Sequence, residues 1–194
     1  HLGDMLGFNK LLFSILITLI YRFVPVPLTP LMLIRIVQLI AAGKEVKLKK
    51  SWVSYKQISH NLPLAVVAAE DQLFTEHYGF DLKAIEKAMD NNERKRKKHI
   101  KGASTIRQQT AKNVFLWNQR SWLRNGFEVY FTGLIELFCS KKRILEVYLN
   151  VIEMGDGIYG AEAAAQSFYK KHASQLSQSE AAATQLQNQV SSIQ

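Results

Sequence analysis

The sequence lacks a cysteine framework, a histidine metal motif and a convincing strand pattern. Cys139 is the only cysteine among 194 residues, which excludes a disulfide scaffold and a cysteine-based metal site. The five histidines are scattered and never show the HExxH spacing of zinc proteases. No alternating apolar–polar segment and no internal repeat is visible, so the fold class predicted from periodicity is mainly α.

Acidic residues are also in the minority. The chain has 25 Lys and Arg against 16 Asp and Glu, a formal net charge of +9, which indicates an anionic partner. Nucleic acid, anionic lipid and a phosphorylated substrate all fit that charge. The basic run Arg94–Lys101 has no interleaved aromatics and no recognition motif. We therefore expect a solvated loop near an anionic surface, and no nucleic acid partner.

The first part of the chain carries an apolar run, Leu11–Tyr21, that is unbroken by charge or strong polarity. The wider segment Met5–Val24 is about long enough to cross a bilayer, and Lys10 and Arg22 could reach the two interfaces. A cleaved signal peptide is the alternative, but no small-x-small cleavage site follows. The pattern predicts an uncleaved transmembrane anchor over Leu11–Val24.

A second apolar segment, Leu28–Ala42, is interrupted by Pro30 and Arg35. It is too broken to predict a span, and we expect it to lie along the membrane surface. The chain is therefore predicted to divide into an anchor with a juxtamembrane apolar segment, 1–43, and a globular domain, 44–194.

Two adjacent carboxylates, Glu70 and Asp71, end an apolar run within Pro63–Asp81. On one continuous helix Glu70, Phe74 and His77 would share a face. An acid beside apolar side chains can exchange a proton with a substrate. From this segment alone, an exposed helix end with ordinary surface acids is the commoner case.

A polar stripe is predicted on the helix within Gly102–Trp117. Ser104 or Thr105 can cap this helix, and Ser104, Gln108 and Lys112 follow at intervals of four residues. Hydroxyl, amide and ammonium groups suit sugar hydroxyls and a phosphate. An exposed polar face explains the same stripe equally well.

The next helix is predicted from Ser121 to about Cys139. Arg124 and Glu128 lie four residues apart on it, the spacing of an ordinary intrahelical ion pair. Ion pairs of this kind are common on exposed helix faces. The spacing alone therefore assigns no function to either residue.

The last third of the chain predicts three more helices. In Lys141–Asn150, the polar residues Glu146 and Asn150 lie beside an apolar stripe. A glycine-rich loop and a helix over Ala161–Tyr169 follow. A capping box, Ser177-x-x-Glu180, begins the final helix.

Five segments resemble, in order and spacing, the motifs of the bacterial peptidoglycan glycosyltransferases. They read EDQLFTEHYGFD, GASTIRQQTAK, RNGFE, KKRILEVYLN and GIYGAEAAAQSFYKK. The similarity covers Leu64–Ser179 and includes the monofunctional, membrane-anchored transglycosylases and the equivalent domain of bifunctional penicillin-binding proteins. Five ordered motifs are far more specific than one. The resemblance implies a lysozyme-like α fold in two lobes with an N-terminal transmembrane helix.

The resemblance also implies a reaction, the polymerisation of lipid II into glycan with release of undecaprenyl pyrophosphate. By match to the first motif, Glu70 is the general base that takes a proton from the acceptor sugar 4-hydroxyl. Glu128 matches a second catalytic carboxylate, which assists departure of the pyrophosphate and is the expected metal ligand. The expected cofactor is a divalent cation, Mg²⁺ or Mn²⁺, with no organic cofactor.

The remaining site residues follow from the same motifs. The expected substrate-binding residues are Ser104, Thr105, Gln108, Gln109, Lys112, Arg124 and Lys141. The expected supporting residues are Asp71, Phe74, His77, Gly102, Glu146 and Asn150. Lipid II, the growing glycan chain and membrane lipids are the expected partners, with other cell-wall synthesis or division proteins as further candidates. The implied location is the bacterial inner membrane, single-pass, with the catalytic domain periplasmic.

The sequence departs from the family pattern in three places. Asn125 stands where a Lys is usual, and Phe168–Tyr169 inverts the usual order. After Glu180 the chain is more polar than the family's apolar ending, so we expect the end of the domain to be atypical or truncated. Two other function classes stay open: a membrane-tethered, lysozyme-like glycan hydrolase and a non-catalytic cell-wall scaffold.

Overall fold

The computed structural model describes residues 2–72, 74, 104–119 and 121–191. Within these ranges the chain is mainly helical, as predicted. The α-helices are α1 Leu2–Tyr21, α2 Pro30–Ala41, α3 Asn61–Glu70, α4 Ile106–Phe115, α5 Trp122–Phe138, α6 Lys141–Val151, α7 Ala161–Tyr169 and α8 Gln178–Ser191. Short 3₁₀ helices cover Tyr55–Gln57 and Ala173–Gln175. The two-lobed arrangement stays a prediction.

Some expectations fall outside the described residues. They concern His77, Gly102 and the basic run Arg94–Lys101.

The starts of α4, α5 and α8 are set by local capping, as the sequence predicts. Thr105 caps α4 through a capping box, in which its Oγ1 accepts from the Gln108 N–H at 3.2 Å. Ser121 caps α5. At the start of α8 the Ser177 N–H donates to Glu180 at 2.9 Å, and Ser177 Oγ accepts from the Glu180 N–H at 3.3 Å. Such caps satisfy the free N–H groups of a first helical turn.

The helix that carries Glu70 ends at that residue, so the predicted face shared by Glu70 and Phe74 is wrong. Asp71 leaves the helical region with φ −159° and ψ 74°, and the Phe74 N–H donates to the Asp71 carbonyl at 2.9 Å. The physical reason is a long-range contact. Buried Arg107 donates to the Phe74 carbonyl at 2.7 Å, and its guanidinium lies 4.4 Å from the centre of the Phe74 ring.

A small sheet replaces the predicted glycine-rich loop and corrects the expectation of no strands. The order is β1 (Lys49–Lys50), β3 (Ile158–Tyr159), β2 (Glu153–Gly155), with β1 parallel and β2 antiparallel to β3. Strands of two or three residues are too short to show alternation. Gly157, with φ +69°, is required in the turn because a Cβ would lie 2.1 Å from the Lys47 carbonyl oxygen.

The core lies around α6, whose apolar face is buried as predicted. The buried residues of that face include Ile144, Leu145, Tyr148 and Leu149. A second cluster joins Val26 and Met32 to residues of α4 and α6. Pro30 begins α2 rather than interrupting it, because the N1 position of a helix needs no N–H donor.

The first helix is docked on the rest of the chain. The hydroxyls of Ser14 and Tyr130 lie 2.7 Å apart. Arg143 donates to the carbonyls of Tyr21 at 2.9 Å and Val24 at 2.6 Å. In the described part of the chain, no helix combines the length and apolar character needed to cross a membrane. The anchor over Leu11–Val24 therefore stays a prediction.

Candidate active site

Glu70, the last residue of α3, is held by three side-chain amides. Gln109 Nε2 donates to Glu70 Oε2 at 2.8 Å. Gln185 Nε2 and Gln189 Nε2 donate to Oε1 at 2.7 and 3.0 Å. The carboxylate is half-buried, and α3, α4 and α8 meet around it. Hydrogen bonds to a charged acceptor are stronger than bonds between neutral groups, so this carboxylate has a fixed orientation.

A tyrosine fixes the orientation of the Gln109 amide. Tyr148 is fully buried in α6, and its hydroxyl donates to Gln109 Oε1 at 3.2 Å. Burial, and next the charge of Glu70, raise the pKa of Tyr148. The phenol therefore remains a donor, and the amide nitrogen is left to face Glu70.

The residues after Glu70 are anchored by a buried arginine. The Ile106 N–H donates to Asp71 Oδ2 at 3.1 Å. Arg107, with no exposed side-chain surface, lies 4.0 Å from Asp71 Oδ2 and also pairs with Glu136. Asp71 and Phe74, which follow Glu70, are thus both bound to the start of α4, and their supporting role in the site stays a prediction.

A polar cleft of about 240 Å³ lies next to this carboxylate site. Gln109 and Lys112 line it from α4, and Arg35 lines it from α2. Lys112 is exposed there. Arg35 pairs with Asp156 at 3.0 Å across the cleft rim. Because Gln109 both binds Glu70 and lines the cleft, the cleft that Lys112 also lines adjoins the carboxylate site.

The second predicted carboxylate forms its own pair on α5. Arg124 Nη1 donates to Glu128 at 3.0 Å, and Nη2 donates to Asn125 Oδ1 at 2.9 Å. Arg124 Nε is buried without a hydrogen-bond partner among the described residues. Asn125, where a lysine was expected, is therefore a partner of the guanidinium.

The described residues do not fit a protein-held metal ion at Glu128. Its partner is a guanidinium rather than a second carboxylate. Within the described ranges, no group of three or more His, Cys, Asp or Glu side chains could hold a metal. A cation there would need further ligands from the substrate.

Glu146 and Asn150 hold the segment before α3. The Tyr55 N–H donates to Glu146 at 2.8 Å. The Val53 N–H and carbonyl both bond the Asn150 side chain at 2.9 Å. These contacts give both residues a part in shaping the fold. Lys141 is the first residue of α6 and is half-buried.

The residues of the polar stripe predicted on α4 do not all face the cleft. Ser104 precedes the helix and is exposed, whereas Thr105 and Gln108 form the capping box. Only Lys112 of the stripe lines the cleft. The site role of Ser104, Thr105 and Gln108 stays a prediction.

Sequence reasoning missed Gln185 and Gln189 on α8 and Arg107 on α4. A signal for α8 was present, because Gln185, Asn188 and Gln189 fall at i, i+3 and i+4 on one helix face. The polar C-terminal segment, expected to be atypical, is thus a helix that bonds Glu70. Arg107 gave no local signal, since its partners come from distant segments.

Comparison with known proteins decides the family. The family model described as Transglycosylase matches residues 37–191. The chain belongs to the transglycosylase family. Two proteins named biosynthetic peptidoglycan transglycosylase illustrate the similarity. The one from Bacteroides thetaiotaomicron is 59% identical over 169 residues, covering 87% of this chain and 67% of that protein. The one from Bdellovibrio bacteriovorus is 57% identical over 158 residues, covering 81% and 62%.

These matches confirm the predicted family and the predicted glycosyltransferase class. A third transglycosylase, from Pseudomonas putida, is 52% identical over 169 residues, covering 87% of this chain and 71% of that protein. The chain spans about two thirds of the length of these relatives. The family match extends to the end of α8, so it includes the glutamines that bond Glu70.

Proposed function

We propose that this transglycosylase polymerises the glycan of peptidoglycan from lipid II. The growing lipid-linked chain is the donor, and the 4-hydroxyl of a lipid II sugar is the acceptor. The new bond forms between that oxygen and the donor's anomeric carbon as the bond from that carbon to pyrophosphate breaks. The hydroxyl proton passes to Glu70, and undecaprenyl pyrophosphate leaves with the bonding electrons.

The observation that carries this proposal is the held carboxylate of Glu70. A general base must lie within hydrogen-bond reach of its substrate in a fixed orientation. The amides of Gln109, Gln185 and Gln189 orient Glu70 through bonds of 2.7 to 3.0 Å. They also leave one acceptor position of the carboxylate without a described partner.

The leaving group needs positive charge more than a proton. Lys112 is exposed in the cleft beside Gln109, where its ammonium can bind a pyrophosphate. Arg124, with Nε buried and without a described partner, is the second cation in this role. We also retain Lys141 as a pyrophosphate ligand, on the motif match alone.

A lipid II assay tests the proposed function. The purified protein in detergent is incubated either with labelled lipid II or with preformed glycan strands. We expect longer strands and released undecaprenyl pyrophosphate from lipid II, and unchanged preformed strands. Shortening of preformed strands would indicate a hydrolase instead. Binding of lipid II without turnover would indicate the scaffold.

We further propose that α1 attaches the domain to the inner membrane, with the catalytic domain in the periplasm. The supporting observation is an apolar outer surface on α1, where Phe8 and Phe13 are 64% and 65% exposed. It continues onto the start of α5, where Trp122 and Leu123 are 93% and 66% exposed. A groove of about 540 Å³ lies between the two helices. An exposed apolar surface of this kind suits a bilayer.

Membrane extraction and proteolysis test this attachment. We expect the protein to stay in membranes during an alkaline carbonate wash, and protease added to spheroplasts to digest the catalytic domain. Release by the wash would contradict attachment through this embedded apolar surface. Full protection in spheroplasts, with digestion only after lysis, would contradict the orientation.

A further inference from the structure

The two oxygens of Glu70 are bonded unequally. Oε1 accepts two amide N–H bonds, from Gln185 at 2.7 Å and from Gln189 at 3.0 Å. Oε2 accepts one, from Gln109 at 2.8 Å. Because each carboxylate oxygen offers two lone pairs, these bonds fill Oε1, and Oε2 keeps one acceptor position without a partner among the described residues. An incoming hydroxyl therefore meets a carboxylate with one oxygen available.

The Gln185 amide has little else to bind. The residue is 2% exposed, and its Oε1 has no hydrogen-bond partner among the described residues. A buried amide acceptor without a partner is unfavourable and is unusual in native proteins. The contact with Glu70 is the hydrogen bond that the structure describes for this side chain.

The position of α8 does not depend on these glutamines alone. Asn188 Nδ2 donates to the carbonyl of Glu153 in β2 at 2.8 Å. At the other end of the helix, Glu180 binds Lys171 at 2.8 Å and closes the capping box with Ser177. The helix can therefore stay docked when the amide of Gln185 or Gln189 is removed.

We propose that Gln185 and Gln189 are positioning residues that fill Glu70 Oε1 and so reserve Oε2 for the acceptor hydroxyl. This inference rests on the proposed function, in which Glu70 is the general base. The α8 amides hold the carboxylate plane, and Gln109 sets the direction of the open lone pair. A misplaced base lowers the rate of proton transfer without weakening substrate binding.

The test uses Gln→Met variants, which keep side-chain length and helix propensity but remove the amide. Gln185→Met and Gln189→Met are compared with Gln187→Met, because Gln187 lies exposed on the same helix. Each is measured for kcat and KM with lipid II. Unfolding free energies are measured for each single variant, for Glu70→Met, and for the double variants that join each substitution to Glu70→Met. These measurements give double-mutant cycles.

We expect Gln185→Met and Gln189→Met to lower kcat by about tenfold or more with KM nearly unchanged, and the double variant to lower it further. The changes in unfolding free energy caused by these two variants should not add to the change caused by Glu70→Met. The change caused by Gln187→Met should add to it, and Gln187→Met should keep full turnover. Additivity for both site glutamines would show that the contact is absent in solution and would overturn the inference.

The cycles also separate this inference from the proposed function. Non-additive changes in unfolding free energy with unchanged kcat would mean that the amides bind Glu70 without positioning it for reaction. That result would overturn this inference and leave the proposed function standing. Wild-type turnover by Glu70→Gln would remove Glu70 as the base and overturn both. Loss of turnover by Glu70→Gln with additive cycles would keep the proposed function and discard the role of α8.

Discussion

The hydroxyl of Tyr148 donates to Gln109 Oε1, and the nitrogen of the same amide donates to Glu70 Oε2 at 2.8 Å. A side chain of the core thus determines which end of a glutamine meets the carboxylate. Burial and the charge of Glu70 both raise the pKa of Tyr148, so the phenol stays a donor. The orientation of the Glu70 carboxylate is thereby connected to the packing of α6.

Tyr148→Phe should lower turnover because it frees the Gln109 amide to rotate. We expect a kcat loss of about tenfold and a stability loss of about 1 kcal/mol. Tyr169→Phe is the matched control, since its hydroxyl also makes a 3.2 Å bond, to the carbonyl of Glu180. Steady-state kinetics and urea unfolding of both variants make the comparison. Equal turnover in the two would contradict the orienting role of Tyr148.

Asp71→Asn should act mainly on stability. Asp71 is 6% exposed, accepts from the Ile106 N–H and lies 4.0 Å from the buried Arg107 guanidinium. Asparagine keeps the shape but loses the charge, and Glu136 still pairs with Arg107. We expect a loss of about 1–3 kcal/mol in urea unfolding and a smaller turnover loss than for Glu70→Gln. An unchanged free energy of unfolding would show that the charge of Asp71 beside Arg107 does not stabilise the fold.

Glu128→Gln should fold normally but lose most turnover. An amide cannot supply the carboxylate's charge beside Arg124, and we expect a loss of about a hundredfold or more in kcat. Circular dichroism checks the fold, and lipid II polymerisation gives the rate. Near-normal chain elongation would reduce the contact between Arg124 and Glu128 to an ordinary ion pair.

The divalent cation is tested with the same variant. After chelation, Mg²⁺ or Mn²⁺ is added back to the wild type and to Glu128→Gln. If Glu128 and the substrate pyrophosphate hold the cation together, only the wild type should be stimulated. Equal stimulation of both would place the cation elsewhere.

Acid should weaken the start of α8. The ammonium of Lys171 and the Ser177 N–H lower the pKa of Glu180 to about 2 from 4.5. Because the folded-state pKa lies below the unfolded one, this stabilisation is present above about pH 4.5 and is lost as the pH falls towards about 2. Between those values the wild type should lose more unfolding free energy than Glu180→Gln. Lys171→Met should remove part of the difference, and parallel pH profiles would contradict the assignment.

Sequence reasoning worked where structure is decided locally. The caps at Thr105, Ser121 and Ser177 satisfy N–H groups within one helical turn, so their residue types identify helix starts. The apolar face of α6 is periodic, and it is buried as predicted. The five motifs indicated the family that the comparisons confirm.

Sequence reasoning failed where contacts between distant segments determine the structure. The end of α3 at Glu70 depends on Arg107, which holds Phe74 outside the helix. The bonds from Gln185 and Gln189 to Glu70 join the two ends of the domain. No local pattern around Glu70 shows these partners, because they meet only when α3, α4 and α8 pack together.

The central claim is that Glu70 accepts the proton of the acceptor hydroxyl. The most direct measurement is single-turnover transfer from prebound lipid-linked glycan to lipid II by Glu70→Gln, with circular dichroism and lipid II binding as controls. Glutamine keeps the size of the side chain but cannot take the proton. We predict retained fold and binding with a rate reduced by about a hundredfold to ten-thousandfold. Retention of more than about a tenth of wild-type transfer would show that Glu70 is not the base.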